Sequence, residues 1–261
     1  MQNPIVELSH VELIYQEPAA ETLAVSDLSF AVADGEFVSI VGPSGCGKTT
    51  VLTMLMGLLP PTRGEVRVAC NADKTPVTAG YMLQRDHLLD WRTVEGNVLL
   101  GLTVKRMRTP ERVEHAMTLL DRYGLSAFRA HYPRALSGGM RQKVALIRTL
   151  ATEPKLLLLD EPFSALDYQT RLTLSDEIHG ILKAERATAV LVTHDIAEAV
   201  AMSDRVLVFT QRPARLKSEH RMPFPADMTP LSRRNDARFS PCFNAIWKEL
   251  TDDGTNLSAN A

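Results

Sequence analysis

The stretch FVSIVGPSGCGKTTVLTMLMGL, from Phe37 to Leu58, limits what this chain can fold into more than any other. FVSIV (37–41) is a continuous apolar run, as expected of a strand buried on both faces. KTTVLTMLMGL has the spacing of a helix over 48–58. Between them lies GPSGCGKT, two glycines flanking four residues and followed by Lys and Thr, the pattern of a phosphate-binding loop. Glycines let successive backbone N–H groups curl round an anion, and the helix N-terminus adds positive potential. Lys48 can reach terminal phosphates, and the Thr49 hydroxyl can ligate magnesium. The plain alternative is a glycine turn that caps a helix, and the complete pattern between strand and helix argues against it. Gly42, Pro43, Ser44, Gly45, Cys46, Gly47, Lys48, Thr49 and Thr50 are therefore read as nucleotide contacts. Cys46 lies at a helix N-terminus, where thiolate is favoured, so alkylation is expected to block nucleotide binding and bound nucleotide to protect.

Around this segment the pattern is α/β with a helical insertion. Residues 5–41 read as strands with a turn at Asp34-Gly35, EVRV (65–68) and AGYML (79–83) as further strands, and 94–151 as helical. Buried-strand runs return at LLLLD (156–160), AVLVT (189–193) and RVLVF (205–209). After about residue 212 the chain is rich in Pro and Arg, with one amphipathic fragment at FNAIWKEL.

Two further motifs carry chemistry. LLLLDE (156–161) is an apolar strand ending in two carboxylates, which sets Asp160 to hold magnesium and leaves Glu161 to polarise water. In LSGGMRQ (136–142) Ser137 is a good N-cap, and Gly138 and Gly139 leave N–H groups exposed at the positive end of a helix. A second anion site in a one-nucleotide enzyme makes sense if it faces the nucleotide of another copy.

In these motifs the chain resembles the ABC ATPase family, over about residues 5–210 and in the family's order. The resemblance implies a P-loop core with an antiparallel β subdomain and a helical signature subdomain, and ATP and Mg²⁺ as cofactors. It implies an ATPase domain over 5–212, its helical part about 85–151, and a C-terminal extension over 213–261 without an independent domain. It assigns Gln84 to the glutamine that senses magnesium and the γ-phosphate, Glu161 to the catalytic base and His194 to the switch histidine. Thr49, Gln84 and Asp160 become the magnesium ligands. SALD (164–167) looks like the D-loop, with Asp167 coupling the two sites of a dimer, and Tyr15 is similar to the aromatic that stacks on adenine. For Tyr15, Gln84, Asp167 and His194 the plain readings are packing, a loop polar group, a helix cap and a structural histidine.

LQRDHLLDWRTVEGNVLLGL (83–102) resembles the importer branch that serves nitrate, sulfonate, taurine and thiamine-precursor uptake. Tyr81-Met82-Leu83 departs from that branch, which commonly has Phe before the glutamine, and Gly96 interrupts its acidic-Asn pair. The implied partners are a second copy in a head-to-tail dimer, a membrane permease contacted through Arg85 to Trp91, and indirectly a solute-binding protein. The implied place is the cytoplasmic face of the inner membrane. Leu88, Leu89 and Trp91 could instead fill the helical core.

The 29 basic and 31 acidic residues nearly cancel, which gives no general pull toward nucleic acid. Three scattered cysteines and an N-terminus without a secretory pattern suit a reducing cytoplasm, and no stretch approaches the roughly 20 apolar residues that span a bilayer. A DNA-organising ABC ATPase needs a long coiled coil between Gln84 and Ser137, yet 52 residues without heptads separate them. A P-loop kinase lacks LSGGM, and a binding module has no use for Glu161.

Overall fold

The computed structural model describes residues 4–17, 20–70, 77–164, 166–185 and 187–255. In chain order its elements are β1 (Pro4–Glu17), β2 (Ala20–Ala33), β3 (Phe37–Val41), α1 (Lys48–Leu55), β4 (Arg63–Val68) and β5 (Ala79–Met82). Then come α2 (Val94–Val98), α3 (Leu100–Val104), α4 (Pro110–Arg122), α5 (Gly138–Leu150), β6 (Leu156–Asp160) and α6 (Tyr168–Ala184). The last are β7 (Thr188–Val192), α7 (Ile196–Met202), β8 (Arg205–Phe209), β9 (Leu216–Arg221), α8 (Pro230–Arg234) and α9 (Phe239–Thr255). They form two compact units, one of Met1–Val77 with Ser175–Ala261 and one of Thr78–Leu174.

The first unit holds an antiparallel sheet in the order β2-β1-β4. The apolar alternation of β1 changes phase between Leu8 and Val11, and the structure shows why. His10 takes φ +48° and the register slips there, a bulge that re-aims the inward side chains. Opposite it, a Cβ on Gly64 would lie 2.2 Å from the His10 carbonyl oxygen, so β4 needs glycine at that point.

The same unit carries β3 between β7 and β8 in parallel, with β9 antiparallel to β8. All five residues of each of β3, β7 and β8 are buried, which accounts for their largely apolar sequences, with Ser39, Thr188 and Arg205 as the buried polar members. The segment beyond residue 212 joins this core. Ile246 of α9 is buried with Val41, Val200, Val206 and Val208, and Phe239, Phe243 and Leu250 pack beside it. Helix α1 ends at Leu55, earlier than the pattern over 48–58 predicts, because Gly57 takes φ +70° and turns the chain.

The second unit pairs β5 with β6 in parallel and packs α2, α3 and α4 on α5. Its helix starts follow capping chemistry. The Thr93, Thr109 and Ser137 hydroxyls accept from Gly96, Arg112 and Met140 N–H respectively, each such cap contributing about 1 kcal/mol.

Candidate functional site

In the first unit the phosphate loop is shaped by its main chain. Gly45 and Gly47 sit at φ +74° and +118°, where any side chain is strained. A Cβ on Gly42 would meet Cys46 Sγ and the Phe209 Cβ and carbonyl oxygen, all at 3.1 Å, so the loop begins in close contact with the end of β8. A Cβ on Gly47 would lie 3.2 Å from the Ala24 carbonyl oxygen and 3.4 Å from Ala214 Cβ. Ala214 also exchanges backbone hydrogen bonds with Ala24 and Ser26, so the chain just past residue 212 braces the loop from outside.

Lys48 is buried, and its Nζ donates to the carbonyl oxygens of Gly42 at 2.8 Å and Pro43 at 2.9 Å. Its ammonium is held inside the curl of the loop. Ser44, Gly45 and Thr49 are exposed, and Pro43 and Thr50 are half-buried. Tyr15 is 39% exposed, with its hydroxyl 3.1 Å from Thr50 Oγ1, which sets an accessible ring beside the first turn of α1.

Cys46 corrects the sequence reading. It is only 1% exposed, and burial raises its thiol pKa, outweighing the nearby Lys48 charge that lowers it. The helix terminus does not yield a ready thiolate here, because the Sγ is enclosed by its own loop.

His194 emerges from the same end of the sheet as this loop. Ile40 of β3 is registered with Val192 of β7, and Gly42 and His194 each follow that pair by two residues. His194 is exposed, and its neighbours are fixed on both sides. Thr193 Oγ1 donates to the buried Glu198 at 2.8 Å and accepts from Asp195 N–H, while Asp195 Oδ1 accepts from Glu198 N–H and caps α7. Sequence reasoning missed Glu198, although its spacing three residues after Asp195 is a capping pattern.

In the second unit, β6 delivers Asp160 and Glu161 as its motif predicts. Asp160 is buried and accepts from the Tyr81 hydroxyl at 3.2 Å. Glu161 takes φ +45°, a conformation that costs a non-glycine residue on the order of 1 kcal/mol and turns its side chain out of the strand's alternation. Gln84 is exposed, and its Nε2 donates to Glu161 Oε2 at 3.3 Å and to Ser164 Oγ at 3.4 Å. The structure therefore pairs Gln84 with Glu161, while Asp160, the preceding residue at the end of β6, is bonded to Tyr81.

Ser137 caps α5 as expected, its hydroxyl accepting from Met140 N–H at 3.3 Å. A Cβ on Gly139 would lie 3.0 Å from Thr170 Cγ2, so Gly139 meets the first turn of α6 closely. Asp167 caps that helix by accepting from Thr170 N–H, and this bond holds its carboxyl below the usual range. Ala165 of the SALD segment lies outside the described residues.

The segment after Gln84 is tied to α5 by two arginines that sequence reasoning did not single out. Arg141 Nε donates to Asp86 Oδ2 at 3.0 Å, and Arg148 donates to the carbonyl oxygens of Asp86 and His87 at 2.7 and 2.8 Å. Farther on, the fully buried Asn97 accepts from Leu89 N–H and donates to the carbonyls of Leu89, Arg92 and Thr93. No periodic signal marks Asn97, because its role depends on a loop eight residues away. The loop it pins presents Trp91 at 73% exposure, so Trp91 is not core, while Leu88 and Leu89 are half-buried.

Comparison with known proteins agrees with this geometry. A family model described as ABC transporter matches residues 25–164. An uncharacterised ABC transporter ATP-binding protein, YtlC of Bacillus subtilis, is 45% identical over 94% of this chain and 95% of its own. The aliphatic sulfonates import ATP-binding protein SsuB of Bacillus licheniformis is 37% identical over 92% of this chain and 90% of its own. The nitrate import ATP-binding protein NrtD of Synechocystis is 36% identical over 94% and 93%. Among solved structures, the dimeric post-hydrolysis state of the ATP-binding cassette MJ0796 bound to ADP and Pi matches with TM-score 0.68 and 29% identity, over 84% of this chain and all of that one. With a glycine loop holding Lys48, a Gln84–Glu161 pair and a capped helix at LSGGMRQ in one chain, and relatives alike over nearly its whole length, this protein belongs to the ABC transporter family and is an ATP-hydrolysing ATP-binding subunit.

Proposed function

We propose that this subunit powers uptake of a small organic or inorganic anion, or of a thiamine-precursor-like solute, through a separate membrane permease. The observation that carries this reading is likeness to the sulfonate and nitrate import proteins over more than nine-tenths of the chain. Among the described residues no helix is long and apolar enough to cross a membrane, so the pore is assigned to another chain. The exposed Trp91, on a loop held by Asn97, is the contact assigned to that permease. A solute-binding protein supplies the substrate, and the subunit works at the cytoplasmic face of the membrane. Residues 213–261 are read as an extension of the ATPase domain.

The roles follow from each residue's surroundings. The backbone N–H groups of Gly42 to Thr50 and the Lys48 ammonium receive the phosphates, and Tyr15 lies against adenine. Thr49, Gln84 and Asp160 would hold magnesium, since their side chains offer oxygen donors with a single carboxylate. Magnesium, when bound, neutralises phosphate charge. Glu161 orients and polarises the attacking water, Gln84 holds the Glu161 carboxylate in place, and His194 donates toward the terminal phosphate. Ser137, Gly138 and Gly139 offer the N-terminus of the 13-residue helix α5 to the nucleotide of a second copy, and Asp167 couples the two sites.

The test is purification from membranes together with the co-purifying permease, followed by ATPase assays in lipid. Stimulation by the permease and further stimulation by a loaded binding protein is expected. Stimulation by DNA or by a small phosphate acceptor, and none by the permease, overturns the reading.

A further inference from the structure

A separate cavity lies in the first unit at the N-terminal end of β3, the opposite end from the phosphate loop and about 13 Å along the strand. It encloses about 290 Å³, enough for a small metabolite. Phe37, Leu182 and Ala187 give it apolar walls, and His179, Lys183 and Asp204 are its polar members.

His179 is the unusual one. It is only 5% exposed and packs against Phe37 with ring centroids 6.2 Å apart, yet among the described residues no hydrogen bond engages either ring nitrogen. A buried imidazole normally finds partners for its donor and its acceptor. His179 lines the cavity, so a ring nitrogen can take a partner from its occupant.

The charges of the lining Lys183 and Asp204 cancel, and the buried Arg233, close enough to act on His179, tips the balance at that ring to positive. Asp204 is already committed, accepting from Phe37 N–H at 3.0 Å with Arg233 nearby. Arg233 is buried and donates to the Ala201 and Ser203 carbonyls, while its Nε has no partner among the described residues. Lys183, on the exposed side of α6, is a second cation at the rim. Burial first, then Arg233 and Lys183, lowers the His179 pKa to about 4, so at neutral pH the ring is an uncharged donor in a cationic field.

The geometry points to a binding site for a small planar organic anion, its body between Phe37 and Leu182 and its carboxylate accepting from His179 and Lys183. This site shares no residue with the phosphate loop or the Gln84–Glu161 pair, and it stands whether or not the transport reading does.

The probe is benzoate, added at neutral pH to the full-length chain with its histidines isotopically labelled for NMR. The chain has seven histidines, and His179→Gln identifies the relevant signal. Benzoate is expected to shift the His179 signal saturably, with a dissociation constant on the order of millimolar. Lys183→Met should weaken binding at least about fivefold, because it removes a charge-assisted hydrogen bond. Ala187→Leu should abolish binding by filling the cavity. Benzyl alcohol and benzylammonium, which share the ring and lack the anion, should bind at least about fivefold more weakly or not at all. No saturable shift with benzoate overturns the proposal, as does equal binding of either control or unchanged affinity in Lys183→Met. Lys183 is exposed, so that variant remains a decisive test even if Ala187→Leu fails to fold.

Discussion

In the phosphate loop, main-chain geometry does the holding: two glycines at positive φ, a glycine packed against Phe209, and a lysine folded onto its own loop's carbonyls. In the segment from Gln84 to Trp91 there is no glycine, and side chains do it instead. Arg141, Arg148 and Asn97 reach in from α5 and α2 and bind that segment mostly at its carbonyl groups. The contrast separates two ways of building a site. Backbone-built loops preorganise an anion cradle and tolerate little substitution, because every residue is part of the shape. Side-chain-built segments keep their shape through a few separate ties, each of which can be removed and tested by itself.

The largest effect should come from Glu161→Gln, which keeps the shape of the Gln84–Glu161 pair and removes the carboxylate. Turnover should fall by on the order of 10³ while ATP binding persists. Gel filtration with ATP should then show a trapped dimer, and a monomer with and without ATP would break the paired-site reading.

Next is Asn97→Ala, which leaves the Leu89 N–H and the Arg92 carbonyl without their side-chain partner, while the Leu89 and Thr93 carbonyls keep the backbone N–H groups of residues 92 and 97. It should cost about 2 to 3 kcal/mol of stability and raise the mobility of Trp91, read as a loss of fluorescence anisotropy. Nucleotide affinity should change little. If affinity falls as far as stability does, the two regions are not held independently.

Trp91→Ala is predicted to cost about 2 kcal/mol or more of permease docking and to abolish transport in reconstituted vesicles. With the ring 73% exposed, melting temperature and ATP affinity of the isolated subunit should stay near those of the parent. A large fall in melting temperature would place the contact elsewhere.

The smallest effect concerns Cys46. Burial raises its pKa, so the protonated, unreactive form extends to higher pH than for an ordinary thiol. Alkylation at neutral pH should be slow with or without nucleotide, and should quicken only as pH rises above the usual thiol range. Rapid labelling at neutral pH that nucleotide blocks would show that the loop opens in solution.

The sequence by itself determined whatever depends on a few consecutive residues. The glycine spacing of GPSGCGKT, the apolar runs of β3, β6, β7 and β8, and the cap at Ser137 act within one turn or one strand. Their physics is local conformational freedom and periodic burial, and both can be read along the chain. The pair of Gln84 and Glu161 was legible for a different reason: both residues were named through motif order, and the structure sets them in hydrogen-bond contact.

Tertiary structure decided whatever depends on which distant segment comes near. Cys46 differs from its sequence reading because its thiol is buried, and burial outweighs the local lysine. Trp91 is exposed on a loop whose Leu89 and Arg92 main-chain groups Asn97 holds, Gly64 is required because His10 bulges opposite it, and Ala214 braces a loop that lies far from it in sequence. In each case solvent access and close packing set the outcome, and neither belongs to any single segment of the chain.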